Sequence, residues 1–178
     1  MEMNYCRRCG TVLVQQGAHS YHCKNNHVIY ANSSLAVAIM LLNSSRELLT
    51  VRRALEPGVG QIDLPGGFCD DHELAEAAIE RELLEEVGLR PGDYTKPVFF
   101  CTGMDDYVFR GETVPVLSLI YTATITDETL DIVGRDDATD VTFTDFEDIE
   151  PADFFFVALQ GATAKLERSL HELWPRTL

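Results

Sequence analysis

One stretch constrains this chain more than any other: residues 67 to 89, GFCDDHELAEAAIERELLEEVGL. It reads as a single helix with marked ends. Asp70 or Asp71 can cap the start, and Asp70 followed by Glu73 resembles a capping box with Asp in place of Ser or Thr. The helix should run to about Val87, with Gly88 in the left-handed position after it, Leu89 as the apolar residue that follows, and Pro91 blocking continuation. With Glu82 set at zero and each residue turned by 100°, Glu85 falls at about 300° and Glu86 at about 40°. Ala75 and Ala78 share that arc, whereas Glu73, Glu76 and Glu80 fall at about 120° to 180°. Like charges one turn apart repel by a few tenths of a kcal/mol per pair. A crowded carboxylate triplet beside small residues therefore suits a hard divalent cation, which takes oxygen ligands. Arg81, near 260° by the same count, adjoins Glu85 at i+4 and could orient it. The competing explanation is a solvated acidic helix face.

The flanks set the fold class. Residues 35 to 42, LAVAIMLL, and 48 to 53, LLTVRR, read as buried strands around the turn Asn43-Ser44-Ser45. A loop, EPGVGQ, leads to a short IDL strand and then Pro65-Gly66-Gly67. Strands are expected near 98 to 109, 113 to 126 and 141 to 146, and an amphipathic helix from Phe154 to Leu173. Strands with a central and a terminal helix imply a layered α/β domain with a mixed sheet. Residues 1 to 31 differ, carrying three of the five cysteines together with His19, His22 and His27. Thr11 to Gln15 and Tyr21-His22 read as short strands there. The expected division is therefore a small segment, 1 to 31, and a main domain, 32 to 178.

Charge narrows the partners. The chain has a formal net charge of −15, which argues against bare nucleic acid or an anionic membrane. An anionic substrate can still bind where a divalent metal screens it. The opening residues MEMNYCRRCG contain no apolar run of the signal-peptide kind, and the longest apolar run, Leu35 to Leu42, is far too short to span a bilayer. An odd cysteine count without an export signal favours a reducing, cytoplasmic location with thiols free or metal-bound.

The helix segment, read as G67-x5-E73-x7-R81-E82-L83-x-E85-E86-x-G88-L89, resembles the Nudix hydrolases at every defined position of their box. The resemblance covers about residues 33 to 150. It implies an α/β/α sandwich with the box as loop–helix–loop. It also implies hydrolysis of a nucleoside diphosphate linked to another moiety, with Mg²⁺ or Mn²⁺ as cofactor. By box position Glu82, Glu85 and Glu86 are the implied metal ligands, with Glu85 or Glu82 as general base, the Gly67 carbonyl as a further ligand, and Glu73 and Arg81 holding loop to helix. Asp137, before the late strand, is a candidate for an additional acid. Arg52 or Arg53, at the end of a strand beside the box, is a candidate to face phosphates. Cys69 reads as an incidental small residue, since this chemistry uses water. Members of the family are often dimers, so a homodimer is expected.

Cys6-x2-Cys9, thirteen residues, then Cys23-x3-His27 has the ligand types and nearly the spacing of a structural zinc site. A segment this small cannot bury enough apolar surface alone, so a metal staple is physically reasonable. It resembles the zinc ribbon that precedes the Nudix domain in some members, NADH pyrophosphatases among them. Those usually carry two C-x2-C pairs, whereas here Asn26 stands at the last cysteine position and His27 follows it.

Substrate is the least determined feature. The SQPWPFP-type run of the NADH pyrophosphatases is replaced by KPVFFC and DDYVF. ADP-ribose or a related nucleotide sugar is the first expectation, with NADH, dinucleoside polyphosphates and oxidised nucleoside triphosphates as alternatives. Tyr107, Phe109 or Phe68 could stack on a base, although alternating aromatics are often core. A nucleotide sensor without turnover, or a zinc-ribbon adaptor, is the alternative of another class.

Overall fold

The computed structural model describes residues 3–173. Three short strands, β1 (Leu13–Gln15), β2 (Ser20–Cys23) and β3 (Val28–Tyr30), pair antiparallel in that order. Strand alternation turns Leu13, Cys23 and Ile29 inward beside Cys6, and leaves Val14 and Tyr30 exposed. β3 was not anticipated from sequence. It is three residues long, too short for its alternation to stand out from the turn before it.

The second sheet is built on β4 (Ser34–Leu42), β5 (Leu48–Arg53), β8 (Val98–Phe109), β9 (Glu112–Thr124) and β10 (Ala138–Thr144), in the order β10-β5-β4-β9-β8. β4 and β9 run parallel from Ser34↔Val116 to Leu42↔Thr124, while β8 and β9 form a long antiparallel hairpin. β6 (Ile62–Asp63) pairs with β5, and β7 (Gly66–Phe68) pairs with β4. Alternate residues of β4 feed two cores. Val37, Ile39 and Leu41 pack with Ala78, Ile79, Leu83 and Val87 of α1 (Ala75–Val87). Ala38 and Met40 pack with Ala158, Leu159, Ala162 and Leu166 of α2 (Val157–Leu173). One helix per face of a mixed sheet is the expected α/β/α sandwich. Among the described residues no helix is long and apolar enough to cross a membrane.

The start of α1, the β7 strand and the start of α2 differ from the sequence reading, and β10 (Ala138–Thr144) lies a few residues earlier than expected. The helix α1 starts at Ala75, with Leu74 at its N-cap and no side-chain cap. Glu73 is drawn out of the helix because its carboxylate takes the Asp70 N–H and, at 2.9 Å on each oxygen, the guanidinium of Arg81. A charge-assisted bidentate pair outweighs a single capping bond. β7 replaces an expected loop because glycine lets the chain lie against β4, where a Cβ on Gly66 would strike the carbonyl of Val37. The terminal helix begins at Val157 instead of Phe154. The Asp105 carboxylate of β8 accepts from the amides of Val157 and Ala158 and sets the start from outside the helix.

Candidate active site

The helix α1 carries the acids, and its position decides what they meet. Glu82 and Glu86 lie on the buried arc with Ala78, Ile79, Leu83 and Val87. Glu85, at the edge of that arc, has a side chain 47% exposed. Glu76 and Glu80 are exposed on the other side. The β7 strand passes over the acids. The Gly66 amide donates to Glu86 at 2.9 Å, and a Cβ on Gly67 would come within 2.5 Å of a Glu82 carboxylate oxygen. Glycine at 67 thus leaves the acids room to face the cleft. Gly88 closes the helix in the left-handed conformation at φ 75°, as expected.

Arg81 ties this assembly together. A guanidinium has five N–H donors, and here each set finds acceptors. Nε and one terminal nitrogen hold Glu73, the same terminal nitrogen reaches the Phe68 carbonyl at 3.0 Å, and the other holds Glu82 at 2.7 Å and Glu85 at 3.2 Å. Arg81 therefore orients loop and carboxylates and has no donor left over for a phosphate. Its hydrogen bonds, with that of the Asp70 amide, hold Glu73 down to about 2.

The remaining acids are under-compensated. Burial pushes Glu82 up, even with Arg81 beside it. Burial pushes Glu86 to about 9, and the Asp137 carboxylate against it adds to the shift. Carboxylates that are buried together and short of positive charge at neutral pH suit a divalent cation. The donors are all oxygen, which matches Mg²⁺ or Mn²⁺. By this test of charge and donor type the residues fit the metal.

The cleft they line measures about 360 Å³, within the range of small-molecule sites. Glu82, Glu85, Arg81, Gly67, Phe68, Tyr107, Arg53 and Asp137 all border it. Arg52 does not join them. It donates to the Gly60 carbonyl and borders a separate groove with Thr50 and Asp140. Arg53 enters the cleft already engaged by the Asp63 carboxylate and the Pro57 carbonyl. Asp63, Asp136 and Phe156 border the cleft without having been singled out in the sequence. For Phe156 the signal was the run Phe154-Phe155-Phe156, since three consecutive residues cannot all face one core. Only Phe154 is fully buried.

The second cluster lies in the first sheet. Ligand atoms of Cys6, Cys9, Cys23 and His27 all lie within 4.8 Å of one another. Cys9 and Cys23 sulfurs are 3.7 Å apart, and Cys6 Sγ is 3.5 Å from His27 Nδ1. Ligands at zinc–sulfur distance on a tetrahedron stand about 3.8 Å apart, so the spacing fits that ion. Asn26 takes the left-handed conformation (φ 61°) in the turn after Cys23, and this carries His27 to the fourth corner. The hydroxyl and amide of Thr11 draw Cys9 down to about 5, whereas burial raises Cys6.

Known proteins resemble this chain in sequence and in fold. A family model described as the NUDIX domain matches residues 33–162. The human mitochondrial NAD(P)H pyrophosphatase is 36% identical over 86 residues, which are 48% of this chain and 24% of that protein. An ADP-ribose pyrophosphatase of Methanocaldococcus jannaschii is 28% identical over 132 residues, 68% of this chain and 67% of that protein. The match thus spans about a quarter of the human relative's length. Among solved structures, a NUDIX hydrolase from Nitrosomonas europaea aligns over 95% of this chain and 93% of its own, with a TM-score of 0.68 at 20% identity. That likeness is one of fold.

Proposed function

This chain belongs to the Nudix family, and on that premise we propose that it is a divalent-metal-dependent pyrophosphohydrolase acting on a nucleoside diphosphate derivative. The observation that carries the reading is the meeting of Glu82, Glu85 and Asp137 around one cleft under a glycine strand, with Glu86 buried beside Asp137 and the Gly66 amide. Glu82, Glu85 and Glu86, with Asp137 and the Gly67 carbonyl, would hold Mg²⁺ or Mn²⁺. Bound there, the ion supplies charge screening on the phosphates and acidification of water. The chain's own groups do the rest. Arg81 keeps Glu82 and Glu85 oriented through hydrogen bonds, so little reorganisation is needed at the moment of reaction. Glu85, the most exposed of the three acids, takes the proton as water attacks phosphorus. Tyr107 and Phe68 offer aromatic surface to the base.

Among nucleoside diphosphate derivatives, ADP-ribose or a related nucleotide sugar is the substrate this reading favours. The archaeal ADP-ribose pyrophosphatase matches over the larger share of the chain, and the run associated with NADH is absent. NADH is the rival, supported by the higher local identity to the human NAD(P)H pyrophosphatase. Residues 1 to 31 fold around one structural Zn²⁺ on Cys6, Cys9, Cys23 and His27. Four protein ligands close that site, so it takes no part in the chemistry. Incubation with a panel of nucleoside diphosphate compounds and Mg²⁺, with products separated by chromatography, tests the activity. Release of nucleoside monophosphate is expected, and an uncleaved panel would remove the enzyme reading.

A further inference from the structure

The turn at residues 134 to 138 joins the C-terminal end of α1 to the strands beside the cleft, and Asp137 sits on it. Its backbone is pinned at three points. The Arg135 amide donates to the Glu86 carbonyl at 2.7 Å, and the Ala138 amide closes the turn on the Arg135 carbonyl at 2.9 Å. The Ala54 amide, directly after β5, donates to the Asp137 carbonyl at 2.8 Å. Asp136 takes a left-handed conformation (φ 51°), which Asp tolerates. Gly134 lets the chain close, since a Cβ there would strike the Ala138 carbonyl. So held, the Asp137 carboxylate borders the cleft and lies against Glu86, with Glu82 and Asp63 near enough to repel it.

A turn that presses one acid onto others works against repulsion, and a cation at its other side counters this. The last turn of α1, Leu84 to Val87, carries acids and no basic residue. The Arg135 guanidinium stands at that end instead. It lies so close over Gly88 that a Cβ built there would come within 2.9–3.1 Å of its carbon and both terminal nitrogens. A cation at a helix C-terminus is favourable, and here the turn supplies it to the helix. Glycine at 88 therefore meets two needs, the left-handed φ of 75° and the seat for the guanidinium.

We propose that Arg135 is a positioning residue: seated on Gly88, it latches the 134–138 turn to the end of α1 and so holds Asp137 beside Glu86, ready for the metal. This rests on the metal-dependent hydrolase reading and deepens it. Arg135 acts through Asp137 and does not itself border the cleft.

Two measurements on the full chain test the latch. In metal-free protein, amide hydrogen exchange at Ala54, residue 135 and Ala138 reads it without any ligand. Arg135 is exposed, so Arg135→Ala should fold. It should speed exchange at these amides about two- to fivefold, the range that a cation at a helix end contributes, and leave those of β4 unaltered. Arg135→Lys should restore part of the protection. Gly88→Asn, which keeps the left-handed conformation and fills the seat, should behave like Arg135→Ala. Mn²⁺ affinity, followed by electron paramagnetic resonance, reads the consequence. Removing a positive charge near a cation site would by itself tighten binding. The latch predicts the opposite sign: Arg135→Ala should weaken Mn²⁺ about two- to fivefold by linkage, and should add nothing in an Asp137→Asn background. Unaltered exchange in Arg135→Ala, Mn²⁺ bound as tightly or more tightly, or an equal loss with and without Asp137 would each overturn the proposal. The hydrolase reading fails separately, as an unaltered protein that binds no Mn²⁺ and leaves the substrate panel uncleaved while the exchange response persists.

Discussion

Two adjacent glycines do different work. A Cβ on Gly67 meets only the end of the Glu82 side chain, whereas one on Gly66 meets the backbone of β4 at Val37 and Ala38. Gly67→Ala is therefore expected to leave the melting temperature nearly unchanged while lowering kcat tenfold or more, because Glu82 must turn aside. Gly66→Ala should instead destabilise by about 1–3 kcal/mol, since a strand must shift. Thermal melts and kinetics on both variants check this. Glu86 makes a prediction of opposite sign to the usual carboxylate. Its folded value, about 9, lies above the ordinary 4.5, so the folded state keeps a proton that the unfolded chain releases. The corresponding stability is full below pH 4.5 and is lost as pH rises towards 9. Metal-free protein should thus weaken steadily from pH 5 to 9. Glu86→Gln should flatten that slope, as should saturating Mg²⁺. Denaturant titrations across this range measure it.

On the zinc reading proposed above, the stability of the small sheet should depend on metal. Its core is Cys6, Leu13, Cys23 and Ile29 with partly buried neighbours, little apolar area for three strands. Cys6→Ser, Cys23→Ser and His27→Ala should each lose zinc and lower thermal stability, while His19→Ala should keep both. Elemental analysis of protein purified without added metal reads this directly. A zinc content near zero would mean that the sheet stands on packing alone. Sequence made some elements legible and hid others for a physical reason. The run of α1 to Val87 and its left-handed end at Gly88 follow from local spacing, and the structure places them as spacing implied. The start of α1 did not, because Arg81 takes Glu73 from eight residues away. The start of α2 did not, because its cap is Asp105 on a distant strand. Phe156 was hidden for the same reason, as its partner Tyr107 lies 49 positions earlier. What depends on near neighbours can be read from a chain, and what depends on strand-to-helix contact cannot.

Across the whole molecule, the main sheet and two helices arrange acids and aromatics around one cleft in a chain of net charge −15. Anionic substrates entering such a field need a divalent cation, so activity should vanish with a chelator and return with Mg²⁺ or Mn²⁺. For substrate choice, kcat/KM for ADP-ribose should exceed that for NADH at equal metal concentration. A tenfold preference for NADH, about 1.4 kcal/mol in transition-state binding, would reverse the assignment. The central claim is that one arc of α1 holds the reaction's metal while the other arc is surface. Its most direct test is kcat of Glu85→Gln and Glu86→Gln beside Glu76→Gln, each at saturating Mg²⁺. The first two should fall by orders of magnitude with the fold intact, and Glu76→Gln should keep nearly full activity. Equal damage from Glu76→Gln, or full activity in Glu86→Gln, would contradict the account.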